Sequence, residues 1–291
     1  MCTAVSIWGK RHLFGRTLDL AYTYGEAAVL TPRHFFAAEG KQAGYAMLGV
    51  AHVFGGEPLY YDAVNEHGVA AAALNFPGEA VYHRATAEKR AIPSYALISH
   101  VLSRAASLAE AVLILEAATV TGEAADASLP STPLHWIFTD KSGAVTVESV
   151  AEGLKIYENP MGVLTNAPCF PKQLSYLKSG ALKGDFSSVT RFGRAVCYKT
   201  GTVIGDSAES AAADFFHLME TVSVPKGVVR TAQGDMSYTQ YTSCVDTATG
   251  TYFYTTHGCR RIRAVTMRDK NLDGDTLYTA PLSRPEDVLY L

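Results

Sequence analysis

Met1-Cys2-Thr3-Ala4-Val5-Ser6-Ile7-Trp8-Gly9-Lys10-Arg11-His12-Leu13-Phe14-Gly15-Arg16-Thr17-Leu18-Asp19 reads as a β-hairpin whose first strand opens on a cysteine. Cys2–Trp8 is β-prone, Gly9-Lys10 supplies a turn, and His12–Asp19 returns. Cys2 lies directly behind the initiator methionine and is small enough for that methionine to be trimmed. The mature chain would then carry a nucleophilic thiol and a free α-amine on one residue. An α-amine titrates at about 8, so it can serve as a general base near neutral pH. The hairpin also brings Arg16 and Asp19 back beside Cys2, where an arginine favours the thiolate and an aspartate can orient an ammonium. Taken alone, Met-Cys also fits an accidental start, and Arg16 with Asp19 fits a surface ion pair.

Working outward, β-rich segments follow at Ala27–Pro32, Tyr45–Val53 and Val69–Asn75, with Asn65–Gly68 as a turn. Ile92–Arg104 reads as a helix, and Ser107-Leu108-Ala109-Glu110 is a capping box that opens a second, Leu108–Ala118. Residues 119–133 read as a loop. Strands resume at Leu134–Thr139, Ala144–Val150, Leu154–Tyr157 and Val163–Thr165. Arg191–Lys199 and Ser207–Val222 read as helices, and Tyr238–Asp246, Tyr252–Thr256 and Ile262–Met267 as strands. Strands alternating with helix pairs, with no linker or repeat, suggest one α+β domain over residues 1–291, with helices layered on largely antiparallel sheets.

Composition narrows the function. The 291 residues are 48% apolar and 18% charged, with net charge −3, and the pI is about 6.3. Nothing basic enough for nucleic acid stands out. No apolar run reaches a membrane span, and Lys10, Arg11 and Arg16 interrupt any signal peptide, so a cytoplasmic protein is expected. Five cysteines without a Cys-x-x-Cys pair, and nine histidines without acidic neighbours at ligand spacing, indicate neither a disulfide framework nor a metal. His135 reads as a satisfied strand histidine. Serine-elbow, phosphate-loop, dinucleotide and zinc-helix motifs are absent, and Gly55-Gly56 lacks the pattern of a nucleotide loop.

What remains is a set of polar residues in apolar or turn-like settings. Asn75 in Leu-Asn-Phe-Pro-Gly and Asn166 in Leu-Thr-Asn-Ala-Pro end strands. Each can hold a turn or aim an amide at a substrate oxygen, as an oxyanion hole requires. Arg191 in Val-Thr-Arg-Phe fits a helix-terminal cation or an active-site charge.

In order, Met1-Cys2-Thr3, Leu13–Asp19, Asn65–Val69, Leu74–Gly78, Leu134–Trp136, Gly162–Pro168, Gly184–Phe192 and Thr239–Cys244 resemble the choloylglycine hydrolase family. That family holds bile salt hydrolases and penicillin V acylases, mostly bacterial. The resemblance implies a four-layer αββα N-terminal-nucleophile hydrolase sandwich, with two stacked, mainly antiparallel sheets and helices outside. It implies Cys2 as nucleophile, Arg16 beside the sulfur, Asp19 on the amine, Asn75 and Asn166 around the oxyanion, and Arg191 as a further active-site arginine. The implied reaction is hydrolysis of a linear amide through a thioester, with no metal and no cofactor. Asn75 matches the bile salt hydrolases, whereas penicillin V acylases often carry tyrosine there. The implied substrate is therefore a glycine- or taurine-conjugated bile salt. Penicillin V or another N-acyl amide such as an acyl-homoserine lactone is the alternative, and a non-catalytic bile-acid binder is a third. Leu18, Tyr61, Ala125 and Leu129 would line the acyl pocket. The resemblance also implies a homo-oligomer. The 24 residues 167–190 between Asn166 and Arg191 are too few for the hairpin that many relatives use to form tetramers.

Overall fold

The computed structural model describes residues 1–38, 43–180, 184–282, 285–288 and 290–291. Two antiparallel sheets are stacked face to face. The first runs, in spatial order, Val163–Leu164, Cys2–Ile7, Leu13–Leu20, Met236–Asp246, Thr251–Thr256 and Cys259–Thr266, with Val229–Arg230 paired to Met236–Asp246. The second runs Gly153–Glu158, Gly143–Val150, Leu134–Asp140, Ala70–Asn75, Glu57–Asn65, Met47–Phe54, Ala27–Thr31 and Tyr278–Pro281.

Alternation along the strands builds two cores. In the second sheet Leu48, Val50, Ala70, Ala72, Leu74 and Ile137 meet Ala4, Phe14 and Val245 of the first sheet. Their sequence neighbours Met47, Ala71, Ala73, Trp136 and Phe138 face the other way. There they pack against Leu97, Ile98, Val101, Leu108 and Leu115 of the helices Leu97–Leu102 and Leu108–Glu116. The period of two thus assigns each strand one face to the sandwich and one to a helical layer. The first sheet carries the helices Ser188–Gly201 and Ala208–Glu220 on its outer face, anchored by Phe192, Phe215 and Met219. The order of layers is helix, sheet, sheet, helix, as the sequence leads one to expect.

Several elements differ from the sequence reading. The segment Glu57–Asn65 is a strand, hidden by Pro58 and by the two glycines before it. Gly55 and Gly56 have φ of 58° and 88° and turn Met47–Phe54 tightly into it. Only residues tolerant of positive φ make such a two-residue hairpin loop. The helix read over Ile92–Arg104 is shorter, Leu97–Leu102, because Arg90–Pro93 pairs in parallel with Ala118–Thr121. That second strand takes the end of the helix read over Leu108–Ala118 and the start of the loop read over 119–133. Phe170–Lys178 is a helix that the proline at its second position masked. No helix among the described residues is long and apolar enough to cross a membrane.

Far from Cys2, a polar contact joins the sheets. Ser6 of the first sheet and Thr139 of the second lie 2.9 Å apart at their hydroxyls, and His12 Nε2 sits 2.8 Å from Ser6 Oγ and 3.2 Å from Thr139 Oγ1. His12 Nδ1 meets Thr247 Oγ1 at 2.9 Å. Burial pushes the imidazole down to about 4. An unfolded histidine titrates near 6.5, so below that pH the unfolded chain binds a proton that the folded chain refuses. Stability should therefore fall as pH drops from about 6.5 towards 4, by up to about 3 kcal/mol from this residue. Urea midpoints across that range should fall less steeply in His12→Gln, and identical slopes would remove His12 from the account.

Candidate active site

Cys2 opens the first strand of the chain, in register with Leu18 across the hairpin, and is almost fully buried. With Met1 in place its nitrogen is a peptide N–H, and it donates to Asn166 Oδ1 at 2.7 Å. The strand Val163–Leu164 pairs with Ala4 and Val5, and this pairing carries the following Asn166 to that position. Asn166 Oδ1 also accepts from Arg191 Nη2 at 2.8 Å, while Asn166 Nδ2 donates to the Asn75 carbonyl at 2.8 Å. Two donors on one side and a carbonyl on the other fix which end of the amide is oxygen. They leave one Nδ2 hydrogen uncommitted.

Arg191 lies in the first turn of Ser188–Gly201, fully buried. It donates to the Cys2 carbonyl, to Thr3 Oγ1 at 2.7 Å and to the Phe186 carbonyl at 3.0 Å. Burial lowers its pKa against the pull of Asp19 and Cys2. Arg16, also fully buried, donates from Nη1 to the carbonyls of Ala73 at 2.6 Å and Tyr61 at 3.0 Å. Its Nη2 is buried without a partner. Burial opposes the charge on Arg16, yet the fields of Cys2, Tyr241, Asp62 and Asp19 outweigh it and raise the pKa. Asp19 exchanges backbone hydrogen bonds with Met1, and its carboxylate accepts from Thr239 Oγ1 at 2.6 Å and Thr17 Oγ1 at 3.3 Å. It therefore stands where the residue ahead of Cys2 emerges rather than on the Cys2 nitrogen itself.

Cys2 and Arg16 line a cavity of about 250 Å³. Asn75, Leu18, Tyr61, Ala125 and Leu129 line it, so the structure gathers every residue expected at the pocket. Asp19, Asn166 and Arg191 stand outside the lining. Sequence reasoning missed Leu20, Tyr22, Tyr24, His52, Leu59 and Leu134 of the wall. Tyr22 and Tyr24 are 57% and 41% exposed, so this rim opens to solvent. It also missed Asp62, a buried carboxyl behind Arg16. Asp62 accepts from Tyr241 at 2.6 Å, from Ser243 at 3.0 Å and from Tyr252. Burial lifts its pKa against Arg16 and these donors. The signal for Asp62 was an acid inside a run of β-prone residues, which only a correct strand assignment exposes. No group of three or more His, Cys, Asp or Glu placed to hold a metal occurs among the described residues.

A buried thiol, two buried guanidinium groups, fixed amides and an apolar cavity suit attack on a carbonyl flanked by an apolar acyl group. Comparison with known proteins agrees. The family described as linear amide C–N hydrolases, choloylglycine hydrolase family, matches residues 2–181 and 177–280. The chain is 33% identical to a bile salt hydrolase/transferase of Lactiplantibacillus plantarum, over 97% of each chain. It is 30% identical to one of Clostridium perfringens, over 96% of each. A mutant of the conjugated bile acid hydrolase from Clostridium perfringens superposes with a TM-score of 0.92 at 28% identity over 100% of both chains. A penicillin V acylase from Agrobacterium tumefaciens shares the fold, with a TM-score of 0.79 at 23% identity over 97% of this chain and 92% of the other.

Proposed function

We propose that this chain, which belongs to the choloylglycine hydrolase family of linear amide C–N hydrolases, hydrolyses glycine- or taurine-conjugated bile acids through a thioester on Cys2. The observation that carries the reading is that Cys2 and Arg16 line one largely apolar cavity, with an unpartnered guanidinium nitrogen on Arg16. Buried donors without partners are rare in native proteins and point to a group that is met only in the working state. Here that group is the thiolate or the reacting carboxamide.

Removal of Met1 turns the Cys2 nitrogen into an α-amine already aimed at Asn166 Oδ1. The amine takes the thiol proton as sulfur attacks the amide carbon. Charge then develops on the carbonyl oxygen. The free Nδ2 hydrogen of Asn166 and the side-chain amide of Asn75 are the donors for it, and such donors act strongest where they are prealigned. The amine returns the proton to the leaving nitrogen, the C–N bond breaks and glycine or taurine departs. Water then repeats the sequence on the thioester, giving the free acid and the Cys2 thiol. Arg16 holds negative charge at sulfur, and Arg191 fixes Asn166 and the Cys2 carbonyl. Asp19, at the exit of Met1, becomes a neighbour of the new amine.

The steroid would occupy the cavity between Leu18, Tyr61, Ala125 and Leu129, with Tyr22 and Tyr24 at its open rim. Support for a bile acid comes from the names of the relatives and from Asn75. The reading takes residues 1–291 as one domain. It places the enzyme in a bacterial cytoplasm, as a homo-oligomer that needs neither metal nor cofactor. A substrate panel read by mass spectrometry tests it. Glycocholate and taurocholate should release their amino acids faster than penicillin V or an acyl-homoserine lactone releases its amine. The opposite ranking would make the chain an acylase, and no release from any amide would leave a non-catalytic binder.

A further inference from the structure

We propose that His135 and Glu148 form a buried, proton-sharing clamp that sets the positions of Asn75 and Asn166, making both positioning residues for amide cleavage. The inference rests on the amidase reading above. His135 and Glu148 face each other on neighbouring strands, Leu134–Asp140 and Gly143–Val150, and both are fully buried. His135 Nε2 lies 2.6 Å from the Thr165 carbonyl, which can only accept, so Nε2 carries a hydrogen. His135 Nδ1 lies 3.2 Å from Glu148 Oε1, which also accepts the Phe170 N–H at 2.8 Å. A neutral imidazole facing a carboxylate would set lone pair against lone pair. One further proton must therefore lie between Nδ1 and Oε1.

That pair is tied to both asparagines. Thr165 and Phe170 bracket Asn166, and the clamp grips one by its carbonyl and the other by its N–H. Within the bracket Gln173 Nε2 donates at 2.7 Å to the carbonyls of both Asn166 and Pro168. On the other side the Phe76 ring stacks on His135, 4.3 Å between centroids and 9° from parallel. Phe76 follows Asn75, and Leu74 and Asn75 are in register with His135 and Leu134. The Asn166 Nδ2 to Asn75 carbonyl bond closes the ring of contacts. Neither His135 nor Glu148 lines the cavity, and both are wholly buried where Asn166 keeps some exposure, so neither touches substrate. Stability does not account for the pair, because Glu148 Oε2 is buried with no partner. An apolar pair of similar volume commonly serves a core as well or better.

Glu148→Gln keeps the volume, but its amide oxygen has no charge to hold a protonated His135 and no proton to give a neutral one; turned the other way, its NH2 meets Nδ1 and the Phe170 N–H loses its acceptor. With the purified full-length enzyme and glycocholate, kcat should fall about ten- to a hundredfold, the scale of a small misplacement of reacting groups, with KM within about twofold. Cys2 should be alkylated by iodoacetamide at the wild-type rate, and the side-chain amide resonances of Asn166 should move. Phe76→Leu, which removes the stack and some core volume but none of the hydrogen bonds, should show the same pattern more weakly and stands in should Glu148→Gln not fold. Unchanged kcat in a folded variant overturns the clamp, as does a kcat loss matched by lost Cys2 alkylation. Should the wild-type enzyme cleave no amide, the amidase reading fails. The Asn166 resonances still decide the clamp in that case, and resonances that stay put overturn it.

Discussion

Replacing Cys2 by alanine is expected to lower amide hydrolysis by about 10⁴-fold or more while leaving the fold intact, because without sulfur no thioester forms. Structure favours a clean result. Cys2 is 2% exposed and its backbone is held on both sides, by Leu18 across the hairpin and by Arg191 at its carbonyl. None of these contacts uses the side chain. Trimming one sulfur from a wall of the cavity costs little packing, so thermal unfolding should stay within a few degrees of wild type. Release of glycine from glycocholate, followed by mass spectrometry, measures the effect. Full activity in a folded Cys2→Ala enzyme would remove the nucleophile and the mechanism with it.

Asn166→Asp should cost about 10²- to 10³-fold in kcat, the scale of a lost oxyanion donor. An aspartate keeps both acceptor bonds, to the Cys2 nitrogen and to Arg191, and so preserves that side of the frame. It loses Nδ2, the atom that reaches the Asn75 carbonyl and whose second hydrogen is free for the substrate oxygen. Asn166→Ala loses the frame as well, so it should lower kcat at least as far and also reduce stability. Steady-state kinetics on glycocholate separates the two, because a donor used in the transition state changes kcat far more than KM. A kcat for Asn166→Asp within about threefold of wild type would take Asn166 out of the oxyanion role.

Much of this site lies close to the surface of the sequence. The hairpin from Cys2 to Asp19 is local, so its register alone brings Arg16 and Leu18 near the thiol. Asn75 and Asn166 end strands and precede prolines, a local pattern. The cavity wall is not local. Tyr22, Tyr24 and His52 meet Leu59 and Leu134 only because the chain crosses the second sheet several times, and none of them carries a motif. Asp62 was hidden with its strand, since Pro58 and Gly55-Gly56 outweighed Leu59-Tyr60-Tyr61 in a local reading. His135 was legible as a satisfied strand histidine but not as half of a pair. Its partner lies across a turn and its effect lies at position 165. Propensity sees neighbours in the chain, whereas these groups are neighbours only in space.

The contacts of Cys2 also impose an order in time. Cys2, among the first residues made, has its working partners at 166, 191 and, through Asp19, 239. A nascent chain therefore exposes an unorganised thiol until more than half of the polypeptide has left the ribosome. Its strand gains its second sheet neighbour, Val163–Leu164, equally late. On the proposed mechanism, that interval is when Met1 is most open to trimming. Under the proposed mechanism, competence waits both for the loss of Met1 and for Met236–Asp246, a carboxy-terminal strand of the first sheet, to pair with the hairpin.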